Sequence, residues 1–313
     1  MLALILHIVF SSAFILLIKW AQIRKSEDQV TIGAINYIVA AVTVVPVFFL
    51  NRPEQLSLGA IWTGGSMGLI YFLTYFLVVF AVRKIGAAST NLVSAMSILV
   101  PIVFAAIYYL EMPTTFQTIG VGLALVSLTL VGFQSKHEPL IEVASDEDRR
   151  AKTSVANRGS ENPVFDSQLW ILLVLFVFFL FCGLARIAQE AFKHVVELEQ
   201  QPVPVQRATF GLAAFVTAAL PSLLVLFFRR KKIHLSELGF GCAMGITNIL
   251  QTLLILAALQ QFAGFIVFPL ASAGGVVLVA LVASAMLEES LTRATIVGIS
   301  LSVLAVFLLQ SGS

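Results

Sequence analysis

The chain has 313 residues, of which 59% are hydrophobic and 12% charged, with a net charge of +2 and a mean hydropathy of +0.97. So low a charged fraction excludes a water-exposed globular domain, whose residues are about a quarter charged, and makes the chain an integral membrane protein in contact with lipid. The basic residues are spread through loops rather than gathered in a patch, which excludes a nucleic-acid partner, and Cys182 and Cys242 both sit inside apolar runs, with neither a disulfide framework nor a metal spacing.

A helix needs roughly 20 apolar residues to cross roughly 30 Å of hydrocarbon. Runs of that kind predict spans near 2–22, 31–50, 58–82, 87–110 and 116–134, then near 168–192, 204–228, 236–259, 263–287 and 292–310. Their hydrophobicity is continuous rather than alternating, which predicts helices and not barrel strands. The first run lacks the basic start of a secretory signal and stays apolar through Leu17 and Ile18, so it reads as a retained span. Residues 135–167 carry Asp146, Glu147, Asp148, Arg149, Arg150 and Lys152 with little apolar content, which predicts a flexible linker. Lysine and arginine concentrate in the connections after the odd-numbered spans, including that linker and the run Arg229, Arg230, Lys231, Lys232. The positive-inside rule then puts the linker in the cytoplasm and both termini outside.

Polar residues inside spans are the candidate site, because hydrocarbon penalises them unless they face a cavity or another helix. Span three carries Tyr71, Thr74 and Tyr75 at i, i+3 and i+4, on one face; span eight carries Asn248, Gln251 and Thr252. Asn91, Ser94 and Ser97 make a third stripe in span four, matched by Pro269, Ser272 and Gly275 in span nine. Interhelical hydrogen bonding and close packing explain such stripes as readily as solute binding. Pro269 with Gly274 and Gly275 predicts a hinge, since each glycine weakens a helix by about 1 kcal/mol relative to alanine. Lys19, Asn36, Arg186 and Arg207 form a candidate ring for a carboxylate or phosphate, which arginine would hold bidentately. The competing reading is that Lys19 snorkels to the headgroups and that Arg186 pairs with Glu190 at i, i+4. Glu190, deep in an apolar run, is the candidate proton-coupling group. Glu111 and Glu289 stand just before Thr114 and Thr292 at helix starts and read as structural caps. His7 is the one histidine within a span, so no metal or other cofactor is implied.

The two halves repeat. Residues 86–130 overlay 264–308 without a gap, placing Gly86 on Gly264, Leu92 on Leu270, Ser94 on Ser272, Glu111 on Glu289 and Gly120 on Gly298. Met67-Gly68 falls on Met244-Gly245, one register step away. The domains are therefore 1–134 and 168–313, joined by 135–167. Five is odd, so the second copy crosses the membrane in the opposite sense, giving an all-α membrane protein of ten transmembrane helices in two inverted five-helix repeats.

Gly86-Ala87-Ala88, Pro101, Leu110-Glu111 and Gly120, with Leu287-Glu288-Glu289 and Gly298 in the second copy, resemble the EamA-type branch of the drug/metabolite transporter superfamily. The resemblance implies a carrier of small metabolites in the cell membrane. The chain lacks a GxxxxGK[ST] loop, so transport would run on gradients or exchange rather than ATP bound by this chain. An integral membrane enzyme acting on a lipid-linked group would need clustered carboxylates or histidines at a membrane face, which are not found; a non-transporting scaffold or receptor would lack a cavity.

Overall fold

A computed structural model describes residues 1–24, 28–51, 56–108, 114–132, 163–199, 202–262, 264–286 and 293–310. Among these the only regular elements are α-helices: α1 (Leu2–Ile23), α2 (Gln29–Leu50), α3 (Leu58–Met96), α4 (Leu99–Tyr108), α5 (Thr115–Gly132), α6 (Pro163–Glu199), α7 (Val203–Arg229), α8 (Leu235–Leu259), α9 (Gly264–Met286) and α10 (Arg293–Gln310). Helices are the form such apolar runs must take in lipid, because every backbone donor and acceptor has to be satisfied within the segment. Among the described residues six candidate spans are long and apolar enough to cross a membrane: Leu2–Ile23, Gln29–Leu50, Leu58–Pro101, Leu169–His194, Val203–Arg229 and Leu235–Leu259. Large apolar side chains such as Leu69, Leu73 and Phe76 stand exposed along α3, as lipid contact requires, and Trp20, Trp62 and Trp170 are exposed near helix ends, where indoles favour the interface.

The expected third and fourth spans are divided differently from the sequence reading. Helix α3 turns at Gly86, whose φ of 79° and ψ of 169° belong to a region that only glycine adopts without strain, and continues to Met96. The helical path breaks again at Ser97 and Ile98 before α4. The break falls in the first half, whereas the sequence pointed to the second: α9 runs uninterrupted through Pro269, Gly274 and Gly275. Helix α6 begins at Pro163, earlier than the expected 168, so the end of the expected linker is helical. The rest of that linker, Glu111 and Glu289 lie outside the described residues.

Four glycines set close backbone crossings between helices. A Cβ on Gly64 or Gly68 of α3 would lie 2.4 Å from the Phe210 carbonyl oxygen or 2.1 Å from that of Ala214, both in α7. A Cβ on Gly245 of α8 would lie 2.7 Å from the Asn36 carbonyl oxygen, and one on Gly241 would lie 2.5 Å from Ile35 Cγ2 and 3.2 Å from the Ile32 oxygen, all in α2. Thus α3 crosses α7 as α8 crosses α2, each through two glycines one helical turn apart. Small residues permit this backbone approach, the main source of helix affinity where lipid is as apolar as leucine. Helices α2 and α7 also pack on each other, as do α5 and α10, where Ser127 Oγ donates to the Gly298 carbonyl at 2.7 Å.

Candidate functional site: a central cavity between the helices

A cavity of about 210 Å³ lies among α1, α2, α3, α6, α8 and α9. The helical period explains its walls. Tyr71, Thr74 and Tyr75 all line it from α3, and Asn248, Gln251 and Thr252 line it from α8. Beyond the Gly86 turn, Asn91 and Ser94 line it, and α9 supplies Ser272 and Gly275. The structure thus gathers the three polar stripes around one space and adds Arg186 from α6.

The polar groups are tied to one another across helices. Tyr71 Oη and Thr252 Oγ1 are 3.1 Å apart, joining α3 to α8. Gln251 Nε2 donates to Asn248 Oδ1 at 3.2 Å, and Asn248 Nδ2 donates to Asn36 Oδ1 at 3.3 Å, a short amide relay leading away from the cavity. Tyr75 Oη donates to the Gln29 carbonyl at 2.9 Å, while its ring lies against Gly33, where a Cβ would sit 2.0 Å from Cε1. Gly33 is what lets this tyrosine pack so close to α2.

Among the described residues Arg186 is held by neutral oxygens. Its Nε donates to Ser97 Oγ at 3.1 Å, and its Nη2 donates to the Ser94 carbonyl at 3.2 Å and to Ser272 Oγ at 3.1 Å. Its guanidinium carbon lies 5.5 Å from the centre of the Phe268 ring, within cation–π range. The i, i+4 pair with Glu190 does not form. Ser94 and Ser97 flank the helix break and Ser272 comes from α9, so the arginine joins three helical segments instead of pairing along its own. Glu190 does not line the cavity, and its Oε2 is buried without a hydrogen-bond partner among the described residues.

The expected ring is not assembled around the cavity. Of Lys19, Asn36, Arg186 and Arg207, only Arg186 lines it; Asn36 is fully buried and bonded to Asn248, and neither Lys19 of α1 nor Arg207 of α7 lines the space. Spacing along single helices cannot show which faces meet, and the ring required four faces to meet. Gly274 likewise does not line the space; a Cβ on it would meet Ile8 of α1 at 2.7 Å, so that glycine serves a helix contact, while the side chain of Pro269 lies outside the described residues. Conversely, the cavity includes His7, Ser11, Tyr37, Phe178, Cys182 and Gln189, which the sequence reading did not assign to the site. His7 Nδ1 donates to the Gln251 carbonyl at 2.8 Å, and Tyr37 Oη donates to that of Tyr71.

A polar clasp closes one end of the helix assembly. Asp28, before α2, pairs with Arg229 at the end of α7 and lies 3.8 Å from Lys231 Nζ. Glu237 of α8 is completely buried and accepts from Lys231 Nζ, the Asp28 backbone N–H and the His234 backbone N–H, each at 3.0 Å. Burial pushes the Asp28 carboxyl upward, but hydrogen bonds from Arg229, Thr31 and the Val30 N–H, with the Arg229 charge, outweigh it and leave the carboxyl below its ordinary 3.8. Half of the basic run that suggested a cytoplasmic face is thus engaged in joining two distant loops.

Polar side chains carried on six apolar helices thus line one half-open cavity. Residues 1–133 match the EamA-like transporter family. The EamA-like region covers α1 to α5, and the long apolar helices on either side of residue 133 make the chain a multi-pass membrane protein. A solved structure titled only "Crystal structure of protein" is similar over 96% of this chain and 97% of its own, with a TM-score of 0.58 and 17% identity. At that identity the likeness shows the fold alone, over nearly the whole chain. No curated protein matches the chain.

Proposed function

We propose that the protein is a secondary active transporter of a small polar metabolite, working by alternating access between two inverted repeats, residues 1–134 and 168–313. The observation that carries this reading is the exchange of roles between the halves: Gly64 and Gly68 pack on α7 as Gly241 and Gly245 pack on α2, around a cavity whose walls come from both halves. Two equivalent crossings let each half take the other's arrangement in turn, opening a central site to alternate sides. In this reading Tyr71, Thr74, Tyr75, Asn91, Ser94, Asn248, Gln251, Thr252, Arg186 and Ser272 form the solute site. The linker 135–167 faces the cytoplasm from the cell membrane, an orientation that labelling of linker cysteines from outside intact cells would overturn.

Counterflow in proteoliposomes tests the proposal. The purified protein exchanges at least one solute from a panel of carboxylates, amino acids, sugars and phosphorylated metabolites, and Gln251→Ala slows that exchange roughly tenfold or more, because it removes a side-chain hydrogen bond from the cavity wall. Exchange of none of these solutes sinks the transport reading. Glu190 is the proposed proton-linked group, since a buried carboxyl oxygen without a partner is a costly feature in a membrane helix. In the same vesicles Glu190→Gln abolishes accumulation driven by a pH gradient and spares counterflow; loss of both, or of neither, removes Glu190 from that role.

A further inference from the structure

Resting on the transport reading, we infer that the solute is a monocarboxylate with an uncharged body, its carboxylate docked on Arg186. The charge inventory of the cavity carries this. Among the described residues Arg186 is the one charged side chain that lines the cavity, and no described aspartate or glutamate lines it. All three of its hydrogen bonds go to neutral acceptors, through Nε and Nη2, so Nη1 is left without a protein partner among the described residues. A guanidinium fixed in this way inside a membrane protein, with no counter-ion, is costly unless an anion completes it. Held through Nε and Nη2 by Ser94, Ser97 and Ser272, the guanidinium is fixed in place with its two Nη1 hydrogens left to meet a carboxylate, and preorganisation lowers the entropy cost of binding.

The same inventory selects among anions. A phosphate ester brings about −1.5 to −2 charges at pH 7 and would need a second cation, but neither Lys19 nor Arg207 lines the cavity. A zwitterionic amino acid brings an ammonium that no lining carboxylate balances. For the body of the solute, Phe14, Phe178 and Phe268 offer apolar rings, while Gln251 and Thr252 offer hydrogen bonds for a hydroxyl or carbonyl. A hydroxy or oxo acid with an apolar side chain satisfies every wall.

Cys182 supplies a built-in reporter, because it lines the cavity one helical turn before Arg186 on the same face of α6. In a Cys242→Ala background, the rate of maleimide labelling of Cys182 is measured against increasing phenyllactate, phenylalanine, phenyl phosphate and phenylpropanediol, which share a ring and differ in charge. Phenyllactate protects at the lowest concentration, roughly tenfold to a hundredfold below the other three, and Arg186→Gln erases that margin while Arg186→Lys keeps part of it. Equal or better protection by the diol, the zwitterion or the phosphate, or protection by none of the four, overturns the inference. The ranking on the unsubstituted Arg186 protein stands even if a variant fails to fold. Counterflow of some other solute then leaves the transport reading intact, whereas its absence removes both.

Discussion

Gly68→Leu yields no folded protein, and Gly68→Ala unfolds at a lower temperature in detergent, by an amount corresponding to about 3 kcal/mol. A Cβ at this position would stand 2.1 Å from a backbone oxygen of α7 and 3.0 Å from Thr217 Cβ, so relief requires the helices to separate rather than a side chain to turn. Gly239, exposed and with nothing within 4 Å of its built Cβ, is the matched control: Gly239→Ala is neutral or raises stability by up to about 1 kcal/mol through helix propensity. Equal melting temperatures for Gly68→Ala and the unmodified protein would show that the α3–α7 crossing is looser than drawn. Gly245→Ala is the mirror experiment in the other half, with Asn36 O at 2.7 Å and Val39 Cβ at 2.8 Å, and loses a comparable amount.

Glu237→Ala destabilises the protein by about 3 kcal/mol or more, because it strips the acceptor from two backbone N–H groups and from Lys231 in a position sealed from solvent. Thermal unfolding in detergent reads the loss directly. Glu237→Gln keeps a hydrogen-bond acceptor and loses less. The partly exposed Asp28–Arg229 pair contributes a smaller amount, as solvent screens it. The Asp28 carboxyl is held below its ordinary 3.8, so its contribution is complete above that value and disappears as pH falls through the lowered one. A melting temperature unchanged in Glu237→Ala would mean that the clasp is ornamental.

What the sequence disclosed and what it withheld follow from the same geometry. A stripe at i, i+3 and i+4 marks a face regardless of what the face meets, so Tyr71, Thr74, Tyr75, Asn248, Gln251 and Thr252 were legible and all line one cavity. Gly86 was legible as the entry to a new span, and its backbone does turn there. The inner side of α1 and α2 was not: His7, Ser11 and Tyr37 are isolated polar groups in nearly uniform apolar runs, where no period distinguishes lipid from protein neighbours. The expected Arg186–Glu190 pair rested on proximity along one helix, and the competing acceptors Ser94, Ser97 and Ser272 belong to segments far away in the chain. The Ser97 break escaped notice because it needs neither a glycine nor a proline at the broken residue; Ser97 caps the end with its Oγ, 2.6 Å from the Ser94 carbonyl.

The glycine crossings also bear on biosynthesis. Gly68 meets Ala214, and Asn36 meets Gly245, so the closest neighbours of the early helices are encoded far downstream. At ~5–20 residues per second of translation, α3 waits on the order of 10 s for α7 to be made. During that interval its glycine groove faces lipid or the insertion machinery, and the early segments remain an unfinished half until the ribosome has delivered the complement.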